Sequence, residues 1–542
     1  TTATISNSGT ISVEGNNSGG IIVDSDLTGS ITNAANAKII IDETYVPADD
    51  DKDGDVDGPV AAGTGRYGIR TMGAFTGDIV NNGQISIEGK DSAAVQTGGR
   101  LDGKFVTDGT LTVVGDRSVG VRLGDVTGGV QAAAVGQPTT AVRLAGSIAV
   151  VGKDAVGASL EGNLNGSLVV QGTITATGYR ATTPPTDTSK LDADDLQQGG
   201  PAVRIAGDVA GGVVFAVAPK DNSTTDNDED KDGIEDAKEG NAAITSFGSA
   251  AAVQIGAANR SVTIGALPGN GDGHGLVIEG TISGQGTYAG FDGNGLIIGG
   301  QGAPVTIAGG ATIKGTVNAS GASATAMRVG SGAQVATIKV SGTVQAAGTN
   351  AANARSVALQ IDQGGKTFAI SNSGTIRAAA GGTASNNGAT AIAILDLSGE
   401  VDNVDNSGTI SATGASAGSN VAIDLSANNR GARIGQTVVA SGVAAPAIVG
   451  DVRFGSANDV FDIADGTMTG NTSFGAGSNQ LLLSGDAAYA GKASFGAGND
   501  IVALSGTSTY AGDIDFGGGS DLMTVNSGAK FTGGLLNSQG LA

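Results

Sequence analysis

Phe454-Gly-Ser-Ala-Asn-Asp459-Val-Phe461-Asp-Ile463 returns as Phe474-Gly-Ala-Gly-Ser-Asn479-Gln-Leu481-Leu-Leu483, as Phe495-Gly-Ala-Gly-Asn-Asp500-Ile-Val502-Ala-Leu504, and as Phe516-Gly-Gly-Gly-Ser-Asp521-Leu-Met523-Thr-Val525. The copies start 20 or 21 residues apart. Two columns are wholly apolar: Phe461, Leu481, Val502, Met523 and Ile463, Leu483, Leu504, Val525. The column between them, Asp462, Leu482, Ala503 and Thr524, is mixed and is expected to face outward, because successive strand residues point to opposite faces. Tyr489, Tyr510 and Phe531 make a further column, with Met468 at its head. Columns of one residue type arise when short strands stack coil on coil at about 4.8 Å.

Outward from this stretch, a looser phrase of small residue, aliphatic, variable, aliphatic recurs at Val121, Val142, Val203, Val253, Leu276, Leu296, Met327, Leu359 and Ile423. A single strand cannot bury its apolar face alone, so repetition implies stacking of each copy on the next. A second phrase, Asn-Ser-Gly-Thr-Ile, begins at Asn7, Asn372 and Asn406, with Asn-Asn-Gly-Gln-Ile at Asn81. Its Asn-Gly and Ser-Gly pairs are expected to supply positive φ at a sharp corner. Between Leu359 and Ile423 the spacing is about 31 to 33 residues, enough for three short strands and a loop.

The fold expected is all-β: a right-handed parallel β-helix solenoid with projecting acidic loops, its hand following the usual crossover preference. Some 18 to 20 coils would make a rod of roughly 90 Å. Residues 1–450 read as irregular coils, with insertions at about 42–66 and 179–245, and residues 451–542 as regular repeats. A β-propeller needs a period of about 40 to 50 residues and fits less well.

Composition agrees. Hydrophobic residues are 39% of the 542 but aromatics only 3%, and 94 are Gly. A narrow core of Ala, Val, Ile and Leu with frequent tight turns needs no more. The 29 Lys and Arg face 52 Asp and Glu, a formal charge of -23. That balance argues against nucleic-acid binding, which needs a basic footprint, and favours divalent cations. With no Cys and one His, thiol chemistry is excluded and a zinc centre is not expected. No apolar run approaches the length of a membrane-spanning helix.

The insertions carry the sharpest motif. From Asp228 to Glu239, oxygen ligands fall at loop positions 1, 3, 5, 9 and 12 as Asp228, Asp230, Asp232, Asp236 and Glu239. Gly233 occupies the turning position, and Ile234 would bind through its carbonyl. The loop resembles those of EF-hands, dockerins and thrombospondin type 3 repeats, and without flanking helices it is closest to the last two. Asp49, Asp51, Asp53 and Asp57 repeat the first part, but Val60 stands where the final carboxylate belongs and Pro59 intervenes. Calcium is the cofactor expected at both. The C-terminal Gly-rich turns are similar to the nonapeptides of calcium-binding β-rolls, but their spacing points instead to an Asn/Asp ladder capping turns.

Catalytic constellations are thin. His274 lies in Gly-Asp-Gly-His-Gly, read as a surface turn, and no nucleophile elbow accompanies it. Arg122, Arg143, Arg204 and Arg328 could line a saccharide groove, yet equally form the solvent face between buried aliphatics. Such a groove is usually lined by aromatics, and Trp is absent.

The Phe454 and Ser494-Phe-Gly-Ala-Gly-Asn-Asp copies, with the Asn-Ser-Gly-Thr-Ile phrases, resemble the passenger region of bacterial autotransporters. In that family such repeats precede a membrane-embedded β-barrel, which is not present here. The resemblance implies a secreted or surface-displayed protein of a Gram-negative bacterium, separated from its own outer-membrane barrel. The function expected is non-enzymatic, adhesive or structural, with a host or neighbouring cell surface or a polysaccharide as partner. Calcium-dependent self-assembly into a filament or surface layer is the alternative, the partner then being another copy. A polysaccharide-acting β-helix enzyme comes third.

Overall fold

The computed structural model describes residues 2–50, 52, 57–128, 139–179, 191–223, 225–229, 234–288, 290–349, 353–381 and 388–542. The chain divides into two compact units, Thr1–Ala311 and Thr312–Ala542. The boundary expected at 450/451, between irregular coils and regular repeats, falls within the second. Both units are parallel β-helices.

In the first unit the coils lay their strands on three long parallel sheets. Some coils give the first sheet two short strands, as at Phe75–Thr76 and Ile79–Asn81, while Val262–Ile264 and Val305–Ile307 pair in a further short sheet. The opening coil consists of Thr2–Asn7, Thr10–Glu14 and Gly19–Val23. In the second of these sheets Ile11, Ile39, Ile85, Leu111, Ile148, Ile174, Ile244 and Ile282 stand one above another in unbroken register. From Ile39 onward this column is buried. The β-branched side chains interlock on a pleated surface that a globular core would have to close with larger residues.

The recurring aliphatic phrase is not confined to one sheet. Val121, Val203, Val253 and Leu296 share a face. Val142 and Leu276 lie in another, paired with Phe105 and Val213 respectively. The strand requires only alternation of buried and outward positions, so the same phrase serves different walls.

The Asn corners also differ from expectation. The pairs Ser8-Gly9, Asn82-Gly83, Ser373-Gly374 and Ser407-Gly408 do not have positive φ, and neither do Asn7, Asn81, Asn372 and Asn406 before them. Their amides are buried and form ladders instead. Asn7 Nδ2 donates to Asn33 Oδ1 (2.9 Å), Asn33 Nδ2 to Asn81 Oδ1 (2.8 Å), and Asn81 Nδ2 to the Thr107 hydroxyl (3.1 Å). In the second unit Asn372 donates to Asn406 (2.8 Å), which donates to Gln436 (3.2 Å). Gly9 at the first corner has open space around it, but at the later corners the glycine is required by close approach: a Cβ on Gly109 would lie 1.9 Å from the Gly83 carbonyl oxygen.

The acidic runs leave the coils of the first unit at three places. Residues 43–66 join the second-sheet strand Lys38–Asp42 to the third-sheet strand Tyr67–Thr71. Residues 178–202 make the same connection between Thr173–Thr177 and Val203–Ile205. Residues 216–242 leave from a different corner, between Val213–Phe215 and Ala243–Phe247. The stretch 179–245, expected as one loop, is therefore two, divided by strands whose short aliphatic runs continue the buried columns.

In the second unit the C-terminal columns stack as their spacing requires. Phe461, Leu481, Val502 and Met523 are paired in register, as are Ile463, Leu483, Leu504 and Val525. The rings of Phe454, Phe474, Phe495 and Phe516 are stacked at centroid separations of 4.9, 4.5 and 5.8 Å. The mixed column beside them is half-buried.

Candidate cation-binding insertions

The first insertion is closed at its root by a buried ion pair. Glu43 and Arg66 approach to 3.1 Å. Arg66 also donates to the carbonyls of Gly15 (3.0 Å) and Glu88 (2.6 Å), while the Glu43 carboxylate accepts the amides of Ala62 (2.7 Å) and Gly63 (2.6 Å). A buried charge is tolerable when paired and hydrogen-bonded on all sides, as both are here.

Beyond this root the chain doubles back. Ala48 and Asp57 form an antiparallel bridge, and the Asp57 carboxylate accepts the Asp50 amide. The amide of Gly58 then donates to Asp194 Oδ2 at 2.5 Å, a contact spanning 136 residues of sequence. Both insertions leave from the same corner, between the second and third sheets, and this brings them together. One carboxylate oxygen each from Asp57, Asp192 and Asp194 lies within 4.8 Å of the others, the one such acidic trio among the described residues. The Gly58 amide holds the Asp194 carboxyl below its ordinary range, whereas the hydrogen-bonding contact with Asp194 pushes Asp192 up. Three acidic oxygens held together by two insertions form a donor set suited to a hard divalent cation.

Of the residues expected in this first loop, Asp57 joins the trio, Asp49 is exposed outside it, and Asp51 and Asp53 lie outside the described residues. Asp192 and Asp194 were not singled out as ligands. The local signal, Asp192-Ala-Asp194-Asp195, is an ordinary acidic run, and nothing local announces a partner 136 residues away.

The second acidic loop is arranged differently. Asp230 and Asp232 lie outside the described residues. Asp236 opens a 3-10 turn, Asp236–Lys238, and is 6% exposed. Its Oδ1 accepts the Glu229 amide at 3.3 Å. The Glu229 carboxyl is pushed above its usual range, chiefly by its contact with Asp236. Glu229 Oε2 and Asp236 Oδ2 are both buried with no hydrogen-bond partner. Asp228 and Ile234 are half-buried. Glu239, expected to complete the ligand set, accepts a 2.5 Å hydrogen bond from Gln171 Nε2, and Gln171 in turn accepts from Arg143 Nε at 2.9 Å. Position 12 therefore ties the loop to the coil. Asp228, Asp236 and Glu239 do not converge as a trio. Glu229 and Asp236 set two carboxylates side by side, a pair that could hold a cation, and loop-position counting passes over Glu229.

The arginine series resolves into ion pairs. Arg122 and Arg204 both face Glu161, at 3.5 and 3.1 Å, and Arg328 faces Asp362 at 2.7 Å. Arg143 is buried in another sheet rather than on a solvent face. His274, expected on a surface turn, is also buried; its carbonyl accepts from Asn270 at 3.2 Å.

Comparison with family models, curated proteins and solved structures produced no match for this chain.

Proposed function

We propose that this chain is a non-enzymatic surface protein of a Gram-negative bacterium, an adhesive or structural β-helix passenger whose insertions are set by calcium. The observation that supports this most is a division of charge. On the coil faces Arg122, Arg204 and Arg328 are engaged by carboxylates. In the insertions, carboxylates are gathered instead, one oxygen each from Asp57, Asp192 and Asp194 lying within 4.8 Å of the others. The coils then serve as a stiff repetitive face, and the insertions as calcium-ordered projections from it. Calcium here neutralises oxygens that repel one another and fixes loops at a distance from their roots.

The test is retention of the purified full chain on glycan arrays and animal-cell monolayers, in millimolar calcium and in EGTA, with released sugar ends assayed alongside. Calcium-dependent retention without bond cleavage is expected. Sustained release of reducing or unsaturated ends would replace this reading with a polysaccharide-acting enzyme. Particle growth in calcium that reverses in EGTA would assign the cation to contacts between copies, making the protein a self-assembling layer.

A further inference from the structure

The Phe-Gly turns of the second unit bury a row of acids. Asp459, Asn479 and Asp500 are 0% exposed and Asp521 is 3% exposed. One oxygen of each caps the preceding turn. Asp459 Oδ1 accepts the Ala432 amide (2.7 Å), Asn479 Oδ1 that of Asp459 (3.0 Å), Asp500 Oδ1 that of Asn479 (2.7 Å), and Asp521 Oδ1 that of Asp500 (2.9 Å). The second oxygens of Asp459, Asp500 and Asp521 are buried and have no hydrogen-bond partner.

Asn479 reveals what that second position faces. Its Nδ2 donates to the carbonyl of Gly477, two residues back, at 3.1 Å, and to Asp500 Oδ1 at 3.0 Å. Ala457, Gly477, Gly498 and Gly519 stack directly on one another, so the slot recurs in each coil. An amide fills it by donating. An ionised carboxylate would set oxygen against carbonyl oxygen, away from water, which disfavours the charged form. A carboxylic acid would donate as the amide does.

Nearby charges do not relieve the acids. On the preceding coil Arg430 is engaged by Glu400 and Asp402, and Arg433 by Asp405 and by Asp462 of the ladder's own coil. On the following coils Lys492 is engaged by Asp515. Among the described residues, the charged group acting on Asp500 is Asp521, another acid, and none acts on Asp459.

We infer that Asp459 and Asp500 are proton-binding rungs, so that the stack of residues 454–525 is an acid-strengthened segment of the fold. Burial pushes Asp459 up to about 6 and raises Asp500 as well. A carboxyl raised on folding favours the folded state when protonated. For Asp459 the contribution is complete below its ordinary 3.8 and is lost as pH rises through about 6. A cation in the slot is disfavoured by Asn479, which already presents N–H there.

The test is peptide-level hydrogen exchange on the full chain at pH 7.5 and 5.0, corrected for intrinsic rates. Protection across 454–525 is expected to rise about tenfold at pH 5.0, from the Asp459 rung alone. Asp459→Asn and Asp500→Asn, isosteres that the column already accepts at Asn479, should flatten this response and protect the segment at pH 7.5. Asn479→Asp should steepen it. The Asn7–Asn33–Asn81 coils, whose ladder has no ionisable member, provide the internal reference. Unchanged or falling protection at pH 5.0 would overturn the inference, as would Asn variants that keep the wild-type response. If a variant fails to fold, infrared difference spectra of the wild-type chain decide: a protonated-carboxyl stretch growing between pH 7.5 and 5.0 supports the inference, and its absence refutes it.

Discussion

Asn33 accepts from Asn7 and donates to Asn81, so one amide satisfies neighbours on both sides within a dry corner. Replacing it with Ala strands a donor and an acceptor at once. Asn33→Ala is expected to cost about 1–3 kcal/mol, read from the denaturant midpoint. The corner glycines make a different demand. Gly109→Ala places a methyl 1.9 Å from the Gly83 carbonyl oxygen, backbone that cannot turn aside. The coil must shift, and loss of the folded state at moderate denaturant is the expected outcome. The Asn-Ser-Gly-Thr-Ile phrase was legible as a corner, but its chemistry was not. Asn-Gly pairs usually signal positive φ, and only the stacking of one corner on another turns the same residues into a buried amide ladder.

Among the elements, the repeats were the most legible part of the chain, because a column of equal residues translates directly into register. Phe454, Phe474 and Phe495 read as a column and stack as one. Tyr489 and Tyr510 do likewise, with rings 4.6 Å apart; the Tyr489 hydroxyl donates to Thr472 and that of Tyr510 accepts the Ala493 amide. Tyr489→Ala should cost about 3–5 kcal/mol, from the cavity and the loss of stacking, and should show first as local exchange in residues 467–511. The irregular coils were legible as strands but not by sheet. Val142 and Val203 sit in near-identical phrases yet belong to different walls. The insertion roots were not legible at all. Glu43 and Arg66 are 23 residues apart without a motif to pair them. Arg66→Met should destabilise the first unit by about 3–5 kcal/mol by leaving Glu43 buried and uncompensated, and Glu43→Gln added to it should restore part of the loss. Chemical denaturation of the single and double variants checks both.

For the chain as a whole the dominant quantity is a formal charge of -23, and where that charge collects decides what the folded chain can bind. The acidic loops were visible in sequence as ligand spacings. Their tertiary use was not: Asp57 meets Asp192 and Asp194 because two insertions leave from one corner, and Glu229 takes a place beside Asp236 that the loop pattern does not assign. Calcium bound by the folded chain alone would raise its stability by about 2.7 kcal/mol at a hundred times the dissociation constant. The decisive measurement is calorimetric titration of calcium into the EGTA-treated full chain, with melting recorded in the same solutions. The wild-type chain should show saturable binding and a raised Tm. Asp57→Asn with Asp194→Asn, and separately Glu229→Gln with Asp236→Asn, should each remove part of both. No saturable heat, with a Tm that responds to calcium no more than to sodium chloride of equal ionic strength, would contradict the account.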